Sequence, residues 1–169
     1  MASNKKPRKK YRPKGVRLDN LAYICESFSP VTSHKHIALD LRIKNHEAMA
    51  ALTTGTATRE DWDILVAAFN MTEAFYRLGI GAEYKAEVKL GLDALHAVGK
   101  RSLTLGGRFV LRSEEMRALN TALELHDAQL DVATLRDMER AIEIVNNEFR
   151  LKKMRSVVDR TPELTASAA

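Results

Sequence analysis

The chain has 169 residues, with 27 Lys and Arg against 22 Asp and Glu, a net charge of +5, 45% hydrophobic residues and a single Cys. That length fits one domain or a domain with a tail, and the apolar share is enough for a core. No apolar run approaches the ~18–20 residues that cross a bilayer, no secretory signal follows the N-terminal charges, and one Cys gives neither an internal disulfide nor a Cys-based zinc cluster, so a cytoplasmic protein is expected.

The charge is unevenly placed. Residues 1–18 hold eight cations and no acid, which leaves 19 basic and all 22 acidic residues to the rest. The stretch KKPRKKYRPK, residues 5–14, carries seven of those cations, Pro7, Pro13 and Tyr11. The prolines disfavour helix, like charges repel, and little apolar surface offsets the entropy of ordering. A disordered basic arm over 1–18 is therefore expected, ahead of one mostly helical domain over 19–156 and a frayed tail over 157–169.

The domain begins with DNLAYICESFSP. Asp19 or Asn20 is placed to cap a short helix that ends at Pro30, with Cys25 expected as a small buried hydrophobe. HIALDLRIK alternates Ile37, Leu39, Leu41 and Ile43, the pattern of a short strand, and a short helix from Asn45 to Gly55 is expected after it. Thr58 with Asp61 forms a start signal for a helix that is apolar on two faces and therefore central to the core. Gly79 and Gly81 end it, and a further helix spans about 82–98 with Val88, Leu92 and Leu95 inward. LTLGGRFVL, with Gly106-Gly107 at its centre, predicts a small β-hairpin.

Ser113 is placed to cap the next helix, and Thr134 with Asp137 the last. Met116, Leu119, Leu123, His126 and Leu130 step by 3, 4, 3, 4, and so do Leu135, Met138, Ile142, Val145 and Phe149. Two such seams joined by a short connection predict a C-terminal antiparallel helical hairpin. The fold class expected is thus mostly α, with that hairpin, a small β-hairpin, one further short strand and the arm.

The arm is the most specific functional feature. Lys5, Lys6, Arg8, Lys9, Lys10, Arg12, Lys14 and Arg17 suit phosphate contact driven by counterion release, and Tyr11 suits stacking on a base. Largely sequence-independent nucleic-acid binding is expected, since no helix carries the basic face of a recognition helix. The alternative is a modulator acting through protein contacts of the helical hairpin, with a protein partner or a homodimer. No membrane partner, cofactor or metal site is expected. A second basic cluster, Arg150, Lys152, Lys153 and Arg155, suits a helix C-terminus. Arg108, Arg112 and Arg117 could meet phosphate near a helix start, with Glu114 and Glu115 as their nearer neighbours. His34, His36 and His46 lack a carboxylate or Cys at ligand spacing. His126 and Asp127 diverge by about 100° on a helix, so no enzymatic pair is expected and His126 fits a core histidine. Walker, dinucleotide and nucleophile-elbow motifs are absent.

The segment RFVLRSEEMRALNTALELHDAQLD resembles one found in small uncharacterised proteins of proteobacteria and their phages or mobile elements. The arm followed by a helical body is similar too. The resemblance implies a bacterial or phage cytoplasmic protein and carries over no catalytic residue.

Overall fold

The computed structural model describes Tyr23 and residues 25–151. The basic arm, the expected cap at Asp19 or Asn20, and the tail over 157–169 lie outside the described residues. The described chain holds five long helices: α1 Lys35–Thr54, α2 Arg59–Arg77, α3 Lys85–Thr104, α4 Ser113–Val132 and α5 Leu135–Arg150. Single 3₁₀ turns at Val31–Ser33 and Ala82–Tyr84 precede α1 and α3. No strand occurs among the described residues, where β pairing is limited to one isolated bridge between Pro30 and Thr134.

The expected strand at 37–43 is helix. It merges with the expected helix at 45–55 into α1, which ends at Gly55 in the left-handed region, φ 74°. No Gly or Pro interrupts 31–54, and nothing nearby offers a strand edge to pair with. The inward residues Ala38, Asn45, Ala48, Met49 and Leu52 follow helical spacing, while Leu39 and Ile43 of the alternating set are exposed. Asn45, expected to cap, is instead buried mid-helix.

The predicted β-hairpin is also absent. α3 runs on to Thr104, and Gly106 and Gly107 take φ of 64° and 88° to close it. The Gly107 N–H donates to the Ser102 carbonyl at 2.8 Å, the long bond of a Schellman cap. Positive φ at two adjacent glycines serves a helix end as well as a hairpin turn. Phe109, just beyond, stacks on Trp62 with ring centroids 6.1 Å apart.

α2 has the start and the place its sequence promised. Thr58 and Asp61 form a reciprocal capping box, and the Thr58 amide and hydroxyl hold the Asp61 carboxyl below the usual carboxylate range. Trp62, Leu65, Ala68, Phe69, Thr72, Ala74 and Phe75 are all buried, and α2 touches each of the other four long helices. Cys25, expected inside, is exposed.

The C-terminal antiparallel hairpin does not form. α4 lies chiefly against α3, and α5 packs on α2 with almost no contact to α4. Two features explain this. The linker Ala133–Thr134 is extended at both residues, and Ala133 is fully buried with its carbonyl accepting the Val31 N–H at 2.9 Å, so the chain is redirected. Gly91, for its part, lets α3 come so close to α4 that a Cβ there would lie 2.4 Å from the Ala122 Cβ. The Thr134–Asp137 capping box starts α5 as expected. Ser113, the expected cap of α4, is instead its first helical residue after Arg112.

The core forms two clusters. One gathers Trp62, Leu65, Phe69, Leu95, Phe109, Leu119 and Leu123. The other gathers Val31, Phe75, Leu130, Ala133 and Ala141.

Gly91→Ala should lower stability. Overpacking costs about 1–3 kcal/mol, against ~1 kcal/mol gained in helix propensity. Urea denaturation would show a lower midpoint, and adding Ala122→Gly should recover it. An unchanged midpoint in Gly91→Ala would mean that α3 and α4 are not in such close contact.

Candidate nucleic-acid interface

Lys5, Lys6, Arg8, Lys9, Lys10, Tyr11, Arg12, Lys14 and Arg17 lie outside the described residues, as do Lys152, Lys153 and Arg155. The described body sets their electrostatic background. It carries 15 Lys and Arg against 19 Asp and Glu, a net of −4.

Most of its arginines are spent internally. Arg42 reaches from α1 to α4, donating to the Asp127 carbonyl at 2.9 Å and to Asp131 Oδ1 at 2.5 Å. Arg59 pairs with Asp63 at 3.0 Å and lies over the Trp62 ring at 4.9 Å. Arg77 binds Glu73 on its own helix and Glu148 on α5, which ties the two together and raises its pKa further. Arg101 binds both oxygens of Glu115 and the Val110 carbonyl. Arg150 donates to its neighbour Asn147.

Arg108, Arg112 and Arg117 are different. All three are exposed at the entry to α4, and Arg112 acts on Glu115 only at longer range than the direct Arg101 pair. Glu115, expected as their counter-charge, is engaged by Arg101 and by the Arg112 N–H at 2.8 Å. These two partners hold the Glu115 carboxyl below its ordinary range despite its desolvation. The first-turn amides of α4 add to a local positive field. The trio sits at the α4 N-terminus, whereas Val31 meets Ala133 beyond the other end of this 20-residue helix. The two sites are therefore about 30 Å apart.

The histidine and carboxylate candidates separate as helical geometry requires. His126 is 4% exposed and bonds Thr72 Oγ1 through Nδ1 at 3.0 Å. The Thr72 hydroxyl gives its own proton to the Ala68 carbonyl at 3.0 Å, so Nδ1 carries the histidine proton and Nε2 does not. Asp127 points instead to α1, where His46 Nε2 lies 2.7 Å from its Oδ2. His46 and Asp127 are 81 residues apart, and no local spacing signalled that contact. His34 bonds Ser29 Oγ at 3.2 Å, with His46 about three helical turns further along α1. No group of three His, Cys, Asp or Glu among the described residues is placed to hold a metal ion. No helix among the described residues is long and apolar enough to cross a membrane.

Comparison with protein-family models, curated proteins and solved structures gives no match.

Burial pushes the His126 pKa down from 6.5 to about 4, with Arg42 lowering it a little more and Asp127 opposing. The unfolded chain takes up this proton first, so stability is full above pH ~6.5 and falls as pH drops toward 4. The loss is on the order of 3 kcal/mol. Urea midpoints across that range should decline, and His126→Gln should flatten this part of the profile. An equal decline in both proteins would mean that another group carries it.

Proposed function

We propose that this protein binds nucleic acid through its basic N-terminal arm, largely without sequence preference. The observation that carries this reading is charge segregation: eight cations and no acid in residues 1–18, ahead of a described body with a net charge of −4. Cations so concentrated, with prolines opposing a fold of their own, suit a polyphosphate backbone. Tyr11 would stack on an exposed base.

The body supports this division of labour. Arg42, Arg77 and Arg101 bridge helices, and none of its helices presents a basic stripe for a groove. Arg108, Arg112 and Arg117 form a secondary anion-facing cluster, about 30 Å from where Val31 meets Ala133. The alternative, protein contact, would not use a C-terminal helical hairpin: Leu123 is 2% exposed in the core and α5 leaves α4, while Ile142 and Phe149 on α5 stay exposed.

The test is fluorescence anisotropy with labelled DNA and RNA across a salt series. If about six cations meet phosphates, log affinity falls with log salt at a slope of roughly −5. The full chain should show that slope and a chain lacking residues 1–17 should not. Neutralising Arg108, Arg112 and Arg117 together to Gln should leave most of it. Equal binding with and without the arm would overturn the reading.

A further inference from the structure

Between α3 and α4 the chain runs through residues 108–112 without joining a helix. Exposure alternates along this segment. Arg108, Val110 and Arg112 face solvent, Val110 at 42%, while Phe109 is 6% exposed and Leu111 is half-buried. A period of two is the pattern of an extended strand, and Arg112 closes the segment at φ −96° and ψ 156°. The inner face is already fixed: Phe109 stacks on Trp62, and Leu111 packs against the same apolar cluster.

The two edges of the segment differ. In a strand, the N–H and C=O of one residue point to the same side, and those of its neighbours to the other. Arg101 donates to the Val110 carbonyl and so occupies one edge. Phe109 and Leu111 turn their N–H and C=O to the opposite edge, where neither makes a backbone hydrogen bond among the described residues. No strand among the described residues pairs with the segment. An extended edge fixed on one side and unpaired on the other is a template for strand addition.

The exposed side chains decide what kind of strand fits. Two arginines flank one apolar residue, and Arg101 neutralises Glu115 beside them. A second copy of this segment, paired antiparallel about Val110, would set Arg108 opposite Arg112 twice, and like charges directly opposite are destabilising. A nucleic acid has no peptide edge to pair with Phe109 and Leu111, and Val110 offers no aromatic face to a base. An extended peptide with carboxylates on either side of an apolar residue meets all three exposed side chains and both unpaired backbone residues.

We propose that residues 108–112 are a docking strand for an extended acidic peptide of a partner protein. The peptide adds to the edge presented by Phe109 and Leu111, with carboxylates opposite Arg108 and Arg112 and an apolar side chain opposite Val110. This interaction goes beyond the nucleic-acid reading and does not depend on it.

The test uses the full chain without nucleic acid and the labelled peptide TETVTET, whose symmetric pattern serves either strand direction. Amide hydrogen exchange at Phe109 and Leu111, followed by NMR, should slow at least ~10-fold with saturating peptide, and the Val110 amide on the Arg101 edge should change less. By fluorescence anisotropy, Arg108→Glu with Arg112→Glu should weaken TETVTET at least ~10-fold and favour TKTVTKT instead. Methylating the peptide's amide nitrogens, which keeps every charge, should abolish binding. Equal affinity for the methylated peptide, or perturbation confined to residues 5–17, overturns the proposal, because attraction to the basic arm would then explain the binding. Protection of Phe109 and Leu111 that rises with protein concentration alone overturns it by placing a second copy on the edge. Protection by single-stranded DNA and not by the peptide overturns it in favour of nucleic acid. The exchange measurement needs no substitution, so unchanged exchange at Phe109 and Leu111 overturns the docking even if the glutamate variant fails to fold.

Discussion

A single hydrogen bond sits where the two halves of the core meet. Thr72 follows Phe69 of one apolar cluster and precedes Phe75 of the other; His126 stands likewise between Leu123 and Leu130. Their contact, Oγ1 to Nδ1, joins α2 to α4 at the level where apolar packing changes partners. Gln129 extends this polar layer, donating to the carbonyls of Thr72 and Ile80. Buried polar groups are tolerable only when paired, so this layer restricts how α4 can slide or turn on α2. An all-apolar seam of the same length would allow neighbouring registers. Here a shift of one turn would strand an imidazole and a hydroxyl away from water.

That restriction helps explain the arrangement of the remaining helices. With α2 and α4 registered, α3 closes on α4 at Gly91 and Ala122, where a Cβ on residue 91 would lie 2.4 Å from the Ala122 Cβ. α1 is held to α4 by Arg42 and His46 on Asp127 and Asp131, outside the apolar centre. α5 is held to α2 by a buried Ala141 and by the Arg77–Glu148 pair. Polar links at the periphery and one polar layer inside set the geometry, while the apolar clusters supply the driving force.

What the residues disclose depends on how local the cause is. The capping boxes at Thr58 and Thr134 are legible because donor and acceptor lie three residues apart. The central role of α2 is legible because two of its faces are apolar. His126 was identifiable as a core residue from its place on the stripe. The alternation at 37–43 does not by itself specify a strand: in α1 Leu39, Leu41 and Ile43 are exposed on the helix surface, and only the missing partner strand decides between the two. The glycines at 106 and 107 specify positive φ without saying which element needs it. The direction of α5 was hidden for another reason. A perfect 3-4 spacing fixes where the apolar stripe lies on the helix, but Ala141, small enough to permit close approach, fixes which side meets α2. Of the candidate site, the arm was legible as charge alone, and the freedom of Arg108, Arg112 and Arg117 depended on Arg101 claiming Glu115 across the turn.

The same accounting bears on function. Arginine is costly to leave idle in a folded body, because its long side chain loses entropy whenever it is held, and a bridge to a carboxylate offsets that loss. This body uses its arginines in that way, at Arg42, Arg59, Arg77 and Arg101. Its surface therefore presents more free carboxylate than free guanidinium, and a polyanion approaching it at random is repelled on average. An arm with eight cations inverts that balance locally, and the inversion works best when the arm is held off the acidic faces at a fixed exit.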